Sequence, residues 1–353
     1  MRADVRARLE RLLVASRRVL DRESGGAARA RLAASTGLSE EGVALALEQS
    51  LELFPTEGEL EALAVSVRPS PRAHVILSST VFTAAHRALA LALCASPRVF
   101  VKPSRRDPVF AELVHEVAPE LFARVARIEP APGDAVFAYG TAEMLSDVRG
   151  TLPAGTWFFA HGPGVGLVAA HEDALESARA RDGFARELAL DVAPFDQRGC
   201  LSPRLVLVEG GRQRALSFAE AAADALAAAA RRVPRGRLTA GEAAEIRRFR
   251  DTLAMSGDVL AAGPGWVGVA EQDAALALCP VGRNLLVVPV ASAARAALSM
   301  ARHVTTWASI GDAGFERGLR AALPRARAGR LGALQAPPFD GPVDLRTDPE
   351  LSA

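Results

Sequence analysis

The sequence predicts an α/β protein with two parallel-sheet domains that follow a helical N-terminal segment. The opening residues show only helical periodicity, whereas further along the chain short apolar runs alternate with helices. This alternation is interrupted by a long helix and then resumes, which indicates a second sheet. Apolar strands separated by helices are typical of parallel sheets that are covered on both faces. We divide the chain into residues 1–68, 69–165, 166–335 and a Pro- and Asp-rich irregular tail, 336–353.

The N-terminal segment is predicted to be helical. Apolar residues recur with helical spacing from Val5 to Leu20. Ser39, which is followed by two glutamates, is typical of the start of a second helix, and that helix ends before Pro55.

The first α/β domain follows, with four short apolar strands joined by helices. Asp107-Pro108 opens one of these helices, because Pro is tolerated at an early helical position. Strands are predicted at residues 73–78, 98–101, 135–138 and 157–160, and helices at 83–95, 107–117 and 141–148.

The second α/β domain begins with a long helix predicted at residues 171–190 and a polar turn at 194–199. Its remaining elements repeat the pattern of the first domain. Strands are predicted at 204–209, 266–270, 285–290 and 303–310, and helices at 217–231, 239–252 and 292–301.

Composition excludes several classes of protein. The net charge is +1, and the basic residues are scattered among acids, so we expect no nucleic-acid partner. No apolar run approaches the roughly 20 residues of a membrane span, and the charged N-terminus lacks a signal-peptide core. We therefore expect a cytoplasmic protein without a membrane partner. The sequence leaves the oligomeric state open.

The cysteines predict neither a disulfide framework nor a metal site. There are three of them, they are widely spaced, and they form no CxxC pair. Cys94 lies in an apolar helix and is read as core, and Cys279 is read in the same way. Cys200 follows Gly199 in a polar turn before a strand, and this setting favours a reactive thiolate as much as an inert thiol.

Lys102 is the single lysine of a chain whose other basic residues are all arginine. It ends an apolar run that is followed by Pro103 and Ser104. Lysine is a compact point charge and arginine a flat fork, so an isolated lysine indicates a site that needs the point charge. The alternative is the chance survival of one lysine in an arginine-biased sequence.

The segment order, together with VKPS at 101–104 and FDQRGCLSP at 195–203, resembles the aldehyde dehydrogenase superfamily. It is most similar to the acyl-CoA reductase branch, which includes the fatty acid reductase of bacterial luminescence. The resemblance covers about residues 70–335 and implies an aldehyde-dehydrogenase-like α/β fold. It implies that residues 69–165 bind a dinucleotide, that residues 166–335 form the catalytic domain, and that Cys200 is the acyl-accepting nucleophile.

The resemblance also implies a nicotinamide cofactor. In the family the lysine of the first motif contacts the adenosine ribose, so this role carries over to Lys102, with Ser104 beside it. Gly140 and Thr141 open a helix whose free N–H groups suit a pyrophosphate, although Thr141 is equally typical of a plain N-cap. Arg105 stands where NAD-preferring relatives often have Glu, and a cation there favours NADPH over NADH. The alternative is that Arg105 is solvated at a helix start.

Two departures from the superfamily pattern bear on the reaction. The Glu that activates water in aldehyde-oxidising members is replaced by Ala160 or His161, which favours reduction of a thioester. His161 is a candidate acid or base, although a lone histidine is more often structural. The oxyanion-hole Asn is replaced by Thr80, whose hydroxyl donates one hydrogen bond.

These features together predict NADPH-dependent reduction of an acyl-CoA or an acyl-carrier thioester to an aldehyde. Acyl-phosphate reduction, other aldehyde dehydrogenase chemistry and a non-catalytic scaffold stay open as alternatives.

Overall fold

The computed structural model describes residues 1–20, 22–79 and 81–346. The chain forms two compact units. The first consists of Met1–Pro163 and the stretch that begins at Pro338, and the second is Gly164–Pro337. Among the described residues, no helix is both long and apolar enough to cross a membrane.

The first unit begins with helices that pack by the apolar faces the sequence predicted. Leu9 and Leu12 are each 1% exposed, and Ser39 caps its helix by accepting from the backbone N–H of Gly42. Thr56 and Glu59 form a reciprocal capping box at the start of the fourth helix. The helices are α1 (Ala3–Val19), α2 (Arg22–Thr36), α3 (Glu40–Ser50) and α4 (Glu57–Val65).

The first sheet is parallel throughout, as predicted. Its strands are β1 (Ala73–Ile76), β2 (Val99–Lys102), β3 (Ala123–Arg124), β4 (Ala135–Tyr139) and β5 (Trp157–His161), and its helices are α5 (Ala84–Ala95), α6 (Val109–Val117) and α7 (Ala142–Thr151). The strand order is β3-β2-β1-β4-β5. The order therefore reverses between β1 and β4, and the carboxyl ends of all these strands lie along one edge.

The second unit is built on a mixed sheet. Its strands are β6 (Val165–Ala170), β7 (Pro203–Glu209), β8 (Asp258–Ala262), β9 (Gly265–Val269), β10 (Leu285–Val290), β11 (Val304–Ile310) and β12 (Arg327–Ala328). Its helices are α8 (Ala178–Val192), α9 (Arg212–Arg232), α10 (Ala240–Leu253), α11 (Ala293–Met300) and α12 (Ala313–Ala322). The order is β12-β11-β6-β7-β10-β9-β8, and all pairs are parallel except β8 with β9. This antiparallel edge was not predicted.

The prediction was wrong at the start of the second unit. Residues 165–170 form β6, a buried interior strand of the sheet, where no strand was predicted. The helix predicted from 171 begins only at Ala178, where Ser177 accepts from the backbone N–H of Ala180. A short 3₁₀ turn, Glu172–Leu175, fills the gap, because the His171 ring accepts from the N–H of Asp173.

Residues 338–346 return to the first unit and pack against its helices. Arg87, which is 4% exposed, donates to the carbonyl oxygens of Pro338 (2.9 Å) and Gly341 (2.7 Å). The Phe339 ring stacks on His86 with a centroid distance of 5.2 Å. The backbone N–H of Phe339 donates to the Glu59 carboxylate at 3.1 Å. Together with the Glu52 carboxylate, which lies 2.7 Å from the Arg87 guanidinium, these contacts satisfy the buried Arg87.

Asp191 secures a loop within the second unit. Its buried carboxylate accepts from the backbone N–H groups of Gly332 (2.7 Å) and Leu334 (2.8 Å). Burial raises the pKa of Asp191 to about 7 against the effect of these two donors. Glu187 raises the same pKa further and Arg330 lowers it.

Candidate active site

Cys200 lies in a tight turn that leads into β7. The turn is closed by the backbone N–H of Ser202, which donates to the carbonyl oxygen of Gly199 at 3.1 Å. Strand β6 passes close beneath it, and a Cβ at Gly166 would clash with the carbonyl oxygen of Leu201. Glycine is therefore required at that point of β6 for the turn to take this position.

The residues before the turn adopt unusual backbone conformations. Phe195, Asp196 and Gln197 have φ of 54°, 51° and 67°, in the left-handed region that non-glycine residues rarely occupy. Arg283, which contacts Asp196, has φ of 68°. Such conformations persist only where the surroundings hold them in place, and they cluster at functional sites.

Buried hydrogen bonds hold this segment. The Gln197 side chain donates to the carbonyl oxygen of Pro203 at 2.7 Å and accepts from the backbone N–H of Asn284 at 2.8 Å. The Arg283 guanidinium contacts the Asp196 carboxylate at 2.8 Å, and these side chains are 2% and 1% exposed. The other carboxylate oxygen of Asp196 accepts from the backbone N–H of Gly236 at 2.9 Å. The turn that carries Cys200 is thus fixed from both sides.

The other two cysteines are inert by burial, as predicted. Cys94 lies in α5 and Cys279 lies under the second sheet, and burial raises the pKa of each thiol to about 12. Cys279 also donates its S–H to the carbonyl oxygen of Arg204 at 2.9 Å. Of the three cysteines, all in the described part of the chain, Cys200 alone is partly exposed.

The residues proposed for the cofactor lie at the carboxyl edge of the first sheet. Lys102 ends β2, and Gly140 follows β4 and donates its N–H to the carbonyl oxygen of His161 at 3.2 Å. The strand order reverses between β1 and β4, so Gly140 borders the reversal and Lys102 lies one strand away from it. In open α/β sheets this point is where dinucleotides bind.

The other residues proposed for the cofactor have local partners or are exposed. The Ser104 hydroxyl accepts from the N–H of Arg106 at 3.2 Å, so it shapes the turn before α6. Arg105 is exposed. Thr141 caps α7 by accepting from the N–H of Met144 at 3.3 Å, which is the plain N-cap alternative. Its first turn also contains Glu143, whose pKa is lowered by backbone N–H bonding.

Sequence analysis missed Asp107 as a site residue because the pattern fitted a helix start. Asp107 is 7% exposed and accepts from the Ser35 hydroxyl at 2.8 Å. Its other oxygen, Oδ2, has no hydrogen-bond partner within the described residues, and burial raises the pKa of the carboxyl. It lines a small cavity beside Leu77 and Tyr139, at the ends of β1 and β4. A hydroxyl donor, such as that of a ribose, would satisfy this acceptor.

His161 ends β5 in a buried and neutral state. Its ring stacks on Tyr139 with a centroid distance of 4.2 Å, and burial lowers its pKa to about 4. Asp344 acts to raise this pKa and Arg346 to lower it. Its Nε2 atom has no partner in the part of the chain that the structure describes. Thr80, the predicted oxyanion donor, lies outside the described residues.

The chain matches a known protein family. A family model described as acyl-CoA reductase (LuxC) matches residues 65–317. A search of curated proteins found no match.

Solved structures, among them aldehyde dehydrogenases, have the same fold. An oxidoreductase from Marinobacter aquaeolei superimposes with a TM-score of 0.70 at 12% identity, over 94% of this chain and 79% of the other. An NAD-dependent benzaldehyde dehydrogenase from Corynebacterium glutamicum gives 0.67 at 14% identity, over 94% and 82%. Lactaldehyde dehydrogenase from Escherichia coli gives 0.62 at 15% identity, over 92% and 77%. At these identities the likeness shows the fold alone.

Proposed function

Because the chain belongs to the acyl-CoA reductase (LuxC) family, we propose that it reduces an acyl-CoA to the aldehyde with NADPH through a cysteine acyl-enzyme. The main support for this proposal is the difference in exposure among the three cysteines. Cys200 alone is partly exposed, in a turn that buried hydrogen bonds hold rigid, whereas Cys94 and Cys279 are buried with pKa values of about 12. A nucleophilic thiol must be accessible and precisely placed.

In the proposed reaction the Cys200 thiolate attacks the acyl carbon of the thioester. A new carbon–sulfur bond forms, the bond to CoA breaks, and the CoA thiolate takes up a proton as it leaves. The backbone N–H of Cys200 and the Thr80 hydroxyl would donate to the oxyanion that forms in this step. When bound, NADPH supplies the hydride that converts the acyl group to the aldehyde level. The Cys200 thiolate is then released together with the aldehyde.

The residues proposed to hold the cofactor are Lys102, Ser104, Arg105, Gly140 and Thr141. Lys102 would contact the adenosine ribose, and the exposed Arg105 is available for a 2′-phosphate, which supports NADPH over NADH. The reversal of strand order between β1 and β4, with Lys102 and Gly140 at the same edge of the sheet, supports a dinucleotide at this edge.

The end of β5 supports reduction over hydrolysis of the acyl-enzyme. By the resemblance, Ala160 or His161 takes the place of the Glu that activates water in aldehyde-oxidising relatives. His161 is uncharged at neutral pH because burial lowers its pKa to about 4. In this proposal it can accept a proton but cannot supply one as an imidazolium.

The test is acyl-CoA-dependent oxidation of NADPH, followed at the absorbance band of the reduced nicotinamide. We expect turnover by the wild-type protein and by Cys94→Ala, and none by Cys200→Ala. Cys94→Ala is the matched control because it removes a buried thiol from the other unit. Turnover by Cys200→Ala would refute the acyl-enzyme. Turnover only with acyl phosphates would show that the protein is an acyl-phosphate reductase. Inactivity with both classes of substrate would favour a non-catalytic scaffold role.

A further inference from the structure

The segment Arg231–Arg237 (RRVPRGR), here called the arginine loop, joins α9 to α10 in the second unit. It contributes four positive charges, and residues 225–241 contain no acid, in a protein whose net charge is +1. The side chains of Arg231, Arg232 and Arg237 are exposed and have no acidic partner among the described residues. Several other arginines of this unit pair with carboxylates, as Arg198 does with Glu242, Arg212 with Asp258 and Arg214 with Glu172.

The arginine loop is tied directly to the segment that precedes Cys200. Asp196 accepts from the backbone N–H of Gly236 at 2.9 Å, and Arg198 donates to the carbonyl oxygen of Arg237 at 2.8 Å. Arg283, which holds Asp196, also donates to the carbonyl oxygen of Val233. The backbone of the arginine loop is therefore bonded to the segment that precedes Cys200 and is held in place by it.

Arg235 anchors the same loop from within. Its guanidinium donates to the carbonyl oxygen of Gly282 at 3.2 Å. Burial lowers its pKa, Asp196 opposes that change, and the neighbouring Arg283 and Arg198 lower it further. Glu242 also acts to raise this pKa, so the charge of Arg235 is compensated within the unit. The exposed Arg231, Arg232 and Arg237 face no carboxylate among the described residues, and their charge is therefore available to an anionic partner.

We propose that the arginine loop docks an acidic carrier protein that delivers the acyl thioester to Cys200. This inference rests on the proposed reductase function and specifies its donor. A carrier protein presents its thioester on a flexible arm, so its docking surface should lie beside the nucleophile. Further along α10 the exposed Arg247 and Arg248 are accompanied by the exposed Glu245 and Asp251, so the excess of positive charge is confined to the loop. Exposed charges of one sign match the acidic face of a protein.

Two other ligands for the arginine loop, a nucleic acid and free CoA, are less favoured. A nucleic acid would be expected to use aromatic side chains beside the cations, and residues 225–241 contain none. The phosphates of free CoA call for convergent donors, whereas Arg231, Arg232 and Arg237 are spread over the loop on exposed positions. Both become outcomes of the test.

The test measures binding of a fluorescently labelled holo acyl carrier protein by anisotropy. The variant Arg231→Gln/Arg232→Gln/Arg237→Gln should weaken this binding on the order of tenfold or more, and added salt should weaken binding to the wild-type protein. The matched control, Arg179→Gln/Arg295→Gln/Arg325→Gln, removes the same charge from exposed positions elsewhere in the second unit and should bind as the wild type does.

Kinetics separate this proposal from the reductase function. The triple loop variant should keep the wild-type kcat/KM for free acyl-CoA while it loses kcat/KM for the acyl carrier. An equal loss for both donors would assign the loop to CoA phosphates and overturn carrier docking. Unchanged carrier binding, or tighter binding of a single-stranded oligonucleotide than of the carrier, would also overturn it. Binding needs no turnover, so Cys200→Ala should bind the carrier even if no reductase activity is found.

Discussion

Replacing Arg283 with methionine should destabilise the second unit strongly. The substitution removes the guanidinium that lies 2.8 Å from Asp196, and both side chains are at most 2% exposed. The Asp196 carboxylate would keep the N–H of Gly236 at 2.9 Å and the guanidinium of Arg198 at 3.5 Å. Breaking a buried ion pair on one side costs about 3–5 kcal/mol, because a charge stays buried without its partner. For a unit of this size that corresponds to a fall in Tm of about 6–20 °C.

The assay is urea unfolding followed by tryptophan fluorescence, since Trp266 and Trp307 report on this unit. Arg212→Met is the control, because Arg212 pairs with Asp258 at 2.6 Å where both side chains are about 40% exposed. We expect that control to lose less than about 1 kcal/mol. The double variant Asp196→Asn/Arg283→Met should lose less than the sum of the two single variants. A loss for Arg283→Met no greater than that of the control would refute the reasoning.

Three further predictions concern Asp191, the cysteines and Arg105. The pKa of Asp191 is about 7 in the folded protein, above its value in the unfolded chain. Protonation of Asp191 therefore stabilises the folded state fully below about pH 4, and this stabilisation is lost as the pH rises to 7. Asp191→Asn should flatten this slope in urea unfolding measured at several pH values, and an unchanged slope would contradict the assignment. Iodoacetamide should label one cysteine in the folded protein and none in Cys200→Ala, whereas labelling of Cys94 or Cys279 without denaturant would contradict their burial. Arg105→Glu should raise the KM for NADPH on the order of tenfold and lower that for NADH; equal changes for both would show that Arg105 does not contact the 2′-phosphate.

The sequence predicted correctly those helices and strands that are determined by their own residues. Ser39 caps α3 as its side chain allows, and β10 matches the predicted span, in which Leu and Val occupy every position except Pro289. Strand β6 was missed because Gly166, Ala169 and Ala170 carry little strand preference. What makes it a strand is its place between β7 and β11, which a local pattern does not contain.

The candidate site was predictable only where it depends on short motifs. Cys200 and Lys102 stand out through residue type and sequence neighbours alone. The support of the Cys200 turn was not predicted, because Asp196 and Arg283 are 87 residues apart. Asp107 was assigned to a helix start, and only burial distinguishes an unsatisfied acceptor from an ordinary helix cap.

The first unit is assembled from two separate stretches of chain. A ribosome delivers the whole of Gly164–Pro337 before it delivers Pro338, so the second unit can finish folding while the first still lacks its last segment. Until then Arg87 has no carbonyl oxygen from Pro338 or Gly341, and the His86 ring has no Phe339 beside it. During translation the first unit therefore begins first and matures last. A nascent chain that stops before Pro338 would release a complete second unit attached to an unfinished first one, a natural substrate for quality-control proteases.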